Sequence, residues 1–272
     1  MHFEQKQPSR RLWPAVRDVV VFGAQIWYLR GVKVREEQFR VRTVDCQADG
    51  RISIFSLMQY LQEVADGHAE ELGFGFKKLS ELGGYWVLSN IRIEVDRLPR
   101  RDDHVTIRTW PSGNTRTVAT REFIGTDRDG SEMFRAGSEW MVVNKKTKRL
   151  KNLFRLDLEL PGAGQKALPG ELRRLERRQD YRTVERLRVP HSSIDMNGHV
   201  NNTEYVRWGF DALRRAVKLG THIHSVQATY LSEVFEGEEL EIAVACDPNE
   251  KFHILASKSG AEAAVYLMEV VC

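Results

Sequence analysis

The sequence predicts an α+β protein of two similar halves, each built from one long helix and a curved antiparallel sheet. Three observations carry that prediction. The chain of 272 residues has the length of two ordinary domains. A helix-period apolar stripe occurs once in each half and is followed by strand-like segments. The halves also repeat: Asp49-Gly50-Arg51-Ile52-Ser53 lies over Asn197-Gly198-His199-Val200-Asn201 at an offset of 148, and Val105-x-Ile107 lies over Leu240-x-Ile242 at an offset of 135.

Residues 1–35 read as an appendage. Val19-Val20-Val21-Phe22 and Ile26-Trp27-Tyr28-Leu29 are apolar, but Arg17, Asp18, Gln25 and Arg30 interrupt or bound them. The uncharged stretch is well short of the roughly 20 residues that span a bilayer, and no small-residue cleavage site follows it. A leader, a weak surface anchor or an early start codon all fit. Regular structure is expected from near Gln38, where Phe39-Arg40-Val41-Arg42 alternates as a half-buried strand does.

The first half is expected over residues 36–160. Asp49-Gly50 signals a turn. Ile54, Leu57, Met58, Leu61, Val64, Ala65, His68 and Leu72 then recur at helical spacing, and Gly73 stops the helix. Strands are expected around Ile91 to Val95, Val105 to Ile107, Val118 to Ile124 and Glu139 to Asn144, with Asp129-Gly130 as the hairpin turn between the last two. Residues 161–182, rich in Pro, Gly and Arg, read as a linker. The second half, 183–272, restarts the pattern. It has a strand at Leu187 to Pro190, a turn at Asn197-Gly198, a helix from Asn201 to Gly220 and strands from Leu240 onward. Asn201 with Glu204 reads as a capping pair, and Val206, Phe210, Leu213 and Val217 as the buried stripe.

Hydrophobic content of 42% and charged content of 29% predict a soluble globular protein. A net charge of +3 is too small to imply nucleic acid. Basic clusters such as Lys145-Lys146 and Lys148-Arg149 read mostly as solvated surface, with an acidic protein partner allowed. Cys46, Cys246 and Cys272 are odd in number and widely spaced, which fits a reducing cytoplasm. His191, His222 and His224 match no metal spacing. There is no phosphate loop and no GxSxG elbow, so neither a cofactor nor an α/β-hydrolase route is expected.

The densest polar chemistry is Asp195-Met196-Asn197-Gly198-His199-Val200-Asn201-Asn202. Read as an extended stretch, Asp195, Asn197 and His199 share one side. The helix start that follows offers free N–H groups and a positive dipole, which suit the oxyanion of a thioester under attack. That run, with Tyr205 and Trp208, resembles the signature of the plant and bacterial acyl-acyl carrier protein thioesterases. The resemblance covers about residues 38–270, including Leu57-Met58-Gln59-Tyr60-Leu61-Gln62-Glu63, Val95-Asp96-Arg97-Leu98-Pro99 and Ser138-Glu139-Trp140 with Asn144-Lys145.

The resemblance implies a tandem hotdog fold with its active site in the second half. By position, Asp195, Asn197 and His199 match the family's catalytic residues. The family's catalytic Glu lies in a Tyr-Arg-Arg-Glu-Cys context, matched here by Tyr230-Leu231-Ser232-Glu233-Val234, so Glu233 takes that role. Val234 replaces the Cys, which favours a carboxylate-driven mechanism. Backbone N–H groups of Asn201 and Asn202 are the oxyanion candidates. Burial is expected to raise the pKa of Glu233. At the matching positions the first half has Gln47, Asp49, Arg51 and Leu98, so it is assigned to structure and acyl-chain binding, with Leu57, Met58, Leu61 and Trp86 as pocket candidates.

The implied activity is hydrolysis of fatty-acyl thioesters on acyl carrier protein, with the phosphopantetheine-linked acyl chain as substrate. No nucleic acid, membrane span or cofactor is implied, and a homodimer is allowed. An acyl-CoA thioesterase of the same fold, a hotdog hydratase or dehydratase and a non-catalytic acyl-binding sensor are the alternatives.

Overall fold

A computed structural model describes residues 33–156, 158, 160–162, 164–217 and 222–272, and the backbone alone of 19–22 and 25–28. Two apolar segments of the N-terminal region pair with each other as a hairpin, β1 (Val19–Phe22) with β2 (Gln25–Tyr28). They form their own two-stranded sheet.

The first half runs β3 (Arg35–Arg40), α1 (Ile54–Glu71), α2 (Phe76–Glu81), β4 (Gly84–Val95), β5 (His104–Asn114), β6 (Ala119–Thr126) and β7 (Glu132–Asn144). The second runs β8 (Arg182–Arg188), α3 (Asn202–Ala216), β9 (Ser225–Tyr230), β10 (Glu239–Asp247), β11 (Lys251–Lys258) and β12 (Ala264–Val271). All ten strands from β3 onward form one antiparallel sheet, ordered β3-β5-β6-β7-β4-β9-β12-β11-β10-β8. The second five repeat the first five in mirror order. Each half is thus one long helix on a five-stranded sheet, the tandem hotdog arrangement.

The repeat extends to atomic detail. Cys46 bridges Ile52 and Ile194 bridges Val200, both pairs 148 apart from their counterparts. Phe39 pairs with Val105 and Leu187 with Leu240. Ile52 N–H donates to Pro99 O, as Val200 N–H donates to Val234 O. The halves meet where β4 pairs with β9, and Arg92 there faces Gln227, its own counterpart at an offset of 135. The pseudo-two-fold axis passes through that pair.

Ser53 caps α1 by accepting the Ser56 N–H at 3.0 Å, and the helix ends before Gly73, which takes a φ of +78°. Asn201 caps α3 by accepting the Thr203 N–H at 2.9 Å. The reciprocal half of the expected capping box does not form. Glu204 accepts from Ser193 Oγ at 3.0 Å and from Arg207, because the Asn201 N–H already donates to Ser193 O at 2.9 Å. Helix α3 stops at Ala216, and Gly220 lies outside the described residues. The short α2 and strand β9 have no counterpart among the sequence expectations; both are only six residues long, too short for a periodicity to show.

Among the described residues of 161–181 there is no helix or strand, yet the segment is anchored to the sheet face opposite the helices. Trp110 Nε1 donates to Gln165 O at 3.0 Å, Ala167 N–H to Glu122 Oε2 at 3.0 Å, and Leu175 N–H to Thr229 Oγ1 at 3.2 Å. Ala167 and Leu168 are buried. The segment straps the first half to the junction.

On the helix face the core is dense. Gly125 on β6 lies opposite Phe134 on β7, and a Cβ there would overlap the Phe134 ring. Gly125→Ala is therefore expected to destabilise by about 1–3 kcal/mol. In a thermal scan that is a fall of roughly 2–4 °C per kcal/mol. An unchanged melting temperature would show that the ring has room to move.

Candidate active site

The segment 195–199 is a tight loop between Ile194 and Val200, where the sequence reading had an extended stretch. Asp195 Oδ1 accepts the Asn197 N–H at 2.7 Å, Asp195 N–H donates to His199 O at 2.9 Å, and Gly198 turns the chain at φ +82°. An aspartate that bonds its own backbone two residues on, followed by Asn-Gly, favours the turn over the strand. The turn brings Asp195 and His199 together by a different route, with Asp195 Oδ2 3.6 Å from His199 Nδ1. Asn197 is exposed at the same wall.

Glu233 arrives on the loop between β9 and β10. Its Oε1 lies 3.8 Å from His199 Nε2, a buried nitrogen with no hydrogen-bond partner among the described residues. Asp195, His199 and Glu233 thus form one line of ionisable groups, with Asn197 beside it.

Two further residues reach Glu233, both from the first half. Tyr85 Oη donates to Glu233 Oε1. Lys148 Nζ donates to Glu233 Oε2 at 3.0 Å and to Tyr85 Oη at 2.9 Å. The first six residues of β4 and the end of β7 run past the end of β9, and that overhang carries Tyr85 across. No motif announces either residue: Lys148 sits in a basic run that reads as surface. Their effect reverses an expectation. Burial pushes the Glu233 carboxyl up, but the Tyr85 and Lys148 hydrogen bonds and the nearby His199 and Lys148 charges outweigh it. Glu233 therefore lies below its ordinary value and is ionised at neutral pH.

The helix start offers one donor of the two expected. The Asn201 N–H is taken by Ser193 O, whereas the Asn202 N–H has no hydrogen bond among the described residues and Asn202 lines the site. The Asn202 side chain accepts from Gln62 of α1.

A cavity of about 980 Å³ opens beside these groups and runs into the first half. Trp86 lines it, together with Trp140, as a pocket candidate should. Leu57, Met58 and Leu61 do not. They are at most 1% exposed and pack in the core, while Gln59, Gln62, Glu63 and Asp66 of the same helix face the cavity. An apolar helix stripe reports burial, and here the stripe is buried on the sheet. His68 is likewise core: it is fully buried, with its Nδ1 3.0 Å from Arg121 Nη1, and burial foremost pulls it down to about 4.

On the acyl-chain binding expected of the first half from the sequence, selection among chain lengths should respond to Trp86 and Ala119, a second wall residue. Trp86→Ala should move preference toward longer chains and Ala119→Leu toward shorter ones, by up to about 1–3 kcal/mol per methylene. Met58→Ala should cost stability and leave the profile alone. Competition assays over a ladder of acyl lengths read this out; a profile that moves with Met58 and not with Trp86 or Ala119 would contradict the cavity assignment.

None of Gln47, Asp49, Arg51 and Leu98 lines the cavity. Gln47 Oε1 accepts from Arg214 of α3 at 2.7 Å, and Arg51 N–H donates to Asp49 Oδ1 at 3.0 Å. This loop keeps the shape of its counterpart without its chemistry.

Known proteins place the chain. The acyl-ACP thioesterase N-terminal domain family matches residues 32–155, and the acyl-ACP thioesterase C-terminal domain family matches residues 176–265. An acyl-[acyl-carrier-protein] hydrolase of Cuphea viscosissima, chloroplastic, is 27% identical over 96% of this chain and 65% of its own length. A palmitoyl-acyl carrier protein thioesterase of Arabidopsis thaliana, also chloroplastic, is 28% identical over 84% of this chain and 62% of its own. The chain spans less than two thirds of the length of these relatives. Among solved structures, an acyl-ACP thioesterase from Bacteroides thetaiotaomicron has a TM-score of 0.78 at 26% identity, covering 88% of this chain and 97% of that one. The 12:0-ACP thioesterase from Umbellularia californica shares the fold, with a TM-score of 0.76 at 23% identity, covering 88% of this chain and 96% of that one.

Proposed function

Because this chain belongs to the acyl-ACP thioesterase family, both of whose domains it matches in order, we propose that it hydrolyses fatty-acyl thioesters on acyl carrier protein and so ends chain elongation. The observation that carries the reading is the convergence of Asp195, Asn197, His199 and Glu233 at one end of a large cavity. The acyl chain occupies the cavity in the first half, and its thioester lies at the second-half loop.

Glu233, ionised, takes a proton from water, which attacks the thioester carbonyl. Each of its oxygens accepts one hydrogen bond and keeps a further lone pair, so Glu233 can take that proton while Tyr85 and Lys148 hold it in place. His199 and Asn197 hold the water or the thioester, and Asp195 orients His199. The Asn202 N–H, at the positive end of α3, faces the developing oxyanion. The tetrahedral intermediate then collapses with cleavage of the C–S bond, and the phosphopantetheine thiolate takes up the proton that Glu233 holds, which returns the carboxylate. Single turnover in oxygen-18 water separates this base role from a nucleophilic one, since label entering the Glu233 carboxyl would overturn the base assignment.

The three free cysteines accord with the reducing compartment included in this reading. The direct test is thiol release from acyl carrier protein and coenzyme A thioesters of the same chain. Efficient turnover on the carrier alone supports the reading. A clear preference for coenzyme A, or hydration of a 2-enoyl thioester without hydrolysis, would replace it.

A further inference from the structure

We propose that Tyr85 and Lys148 are positioning residues for Glu233, so that the first half completes the active site of the second. The proposal rests on the thioesterase reading above. Glu233 stands on a loop, and among the described residues no group of its own half hydrogen-bonds its carboxylate: His199 Nε2 is 3.8 Å away. A glutamate without directional contacts loses catalytic geometry to its rotamers.

The two first-half residues supply those contacts from rigid supports. Tyr85 is 4% exposed on β4, in register with Val143 of β7. Lys148 closes the turn after β7 with a φ of +56°; its N–H donates to Asn144 O at 2.9 Å, and Asn144 Oδ1 accepts from the N–H groups of Lys146 and Thr147. The Lys148 ammonium lies 5.0 Å from the centre of the Tyr85 ring. Nζ, Oη and the two carboxylate oxygens make a closed ring of hydrogen bonds. Each oxygen of Glu233 is pinned, and the charge of Lys148 favours the ionised form.

The test compares Tyr85→Phe, Lys148→Met and Lys148→Arg on an acyl-pantetheine thioester, which removes any contact of Lys148 with a carrier. Tyr85→Phe and Lys148→Met should each lower kcat by about 10- to 100-fold, the scale of a misplaced catalytic group. KM should change little. The acid limb of the kcat/KM profile should move to higher pH in Lys148→Met, because a base with a raised pKa needs less acidic solution to ionise. Lys148→Arg should restore much of the loss.

A readout independent of turnover is the carboxyl titration in carbon-13 glutamate-labelled protein, with the Glu233 signal assigned by its loss in Glu233→Gln. It should titrate higher in Lys148→Met than in wild type. Wild-type kcat and pH profile in both variants, or an unshifted titration, would overturn the proposal. A wild type that hydrolyses no thioester, but whose Glu233 titration shifts as stated, would sink the thioesterase reading and leave the positioning contacts standing.

Discussion

Glu233→Gln is expected to lower kcat by about 10²–10⁴-fold, the range of general acid–base catalysis, while the protein stays folded. Gln keeps the volume and can still accept from Tyr85 or Lys148, so packing near the site is preserved. What it loses is the charge and the basicity. Glu233 is partly exposed, and its partner Lys148 is half exposed, so the ammonium left behind is solvated at little cost. The variant should therefore melt close to wild type and should bind acyl substrate with a similar KM. A loss confined to kcat identifies a group that acts in the transition state. Near-normal turnover by a folded Glu233→Gln protein would remove Glu233 from the chemistry.

His199→Ala is expected to cost about 10²-fold or more across all chain lengths, whereas Arg51→Ala should leave turnover within about twofold. The two residues occupy equivalent places, one after each left-handed glycine, Gly198 and Gly50. They differ in surroundings. His199 lies between Asp195 and Glu233 at the cavity, while Arg51 lies beside Asp49, and Leu98 stands where a carboxylate would be needed. Arginine stays protonated and cannot serve as a base. Assaying both variants on one ladder of substrates makes the comparison internal. Equal loss in both would refute the division of labour between the halves.

The repeat was legible because it is written in strong local signals: Asp-Gly and Asn-Gly turns, Ser53 aligned with Asn201 at the helix starts and 3.6-residue stripes. These survive in Ser53 and Asn201, in Gly50 and Gly198, and in the registers of Phe39 and Leu187. The cavity wall was not legible. Leu57 and Gln59 both lie on α1, and the stripe says that Leu57 is buried, not that the cavity lies against Gln59. Glu204 misled for a related reason: its partner Ser193 is eleven residues back, outside the capping pattern. Tyr85 and Lys148 reach Glu233 over 148 and 85 residues, and no local signal spans such distances. The Glu233 charge state followed from those contacts, so burial alone gave the wrong sign.

Strands β4 and β9 lie at the centre of the shared sheet, and this governs how the molecule can be cut. A fragment ending in the strap would expose β4 as a raw edge, and the complementary fragment would expose β9. Each edge carries an unpaired backbone ladder flanked by apolar side chains such as Ile91, Ile93, Val226 and Ala228, which invites other chains to pair. Expressing the second half alone, although it holds Asp195, Asn197, His199 and Glu233, would thus yield a sticky fragment without Tyr85, Lys148 and the first-half wall of the cavity. For engineering, the unit of exchange is the whole tandem, and useful chimaeras place their crossovers in surface turns such as Asp129-Gly130, away from the strap.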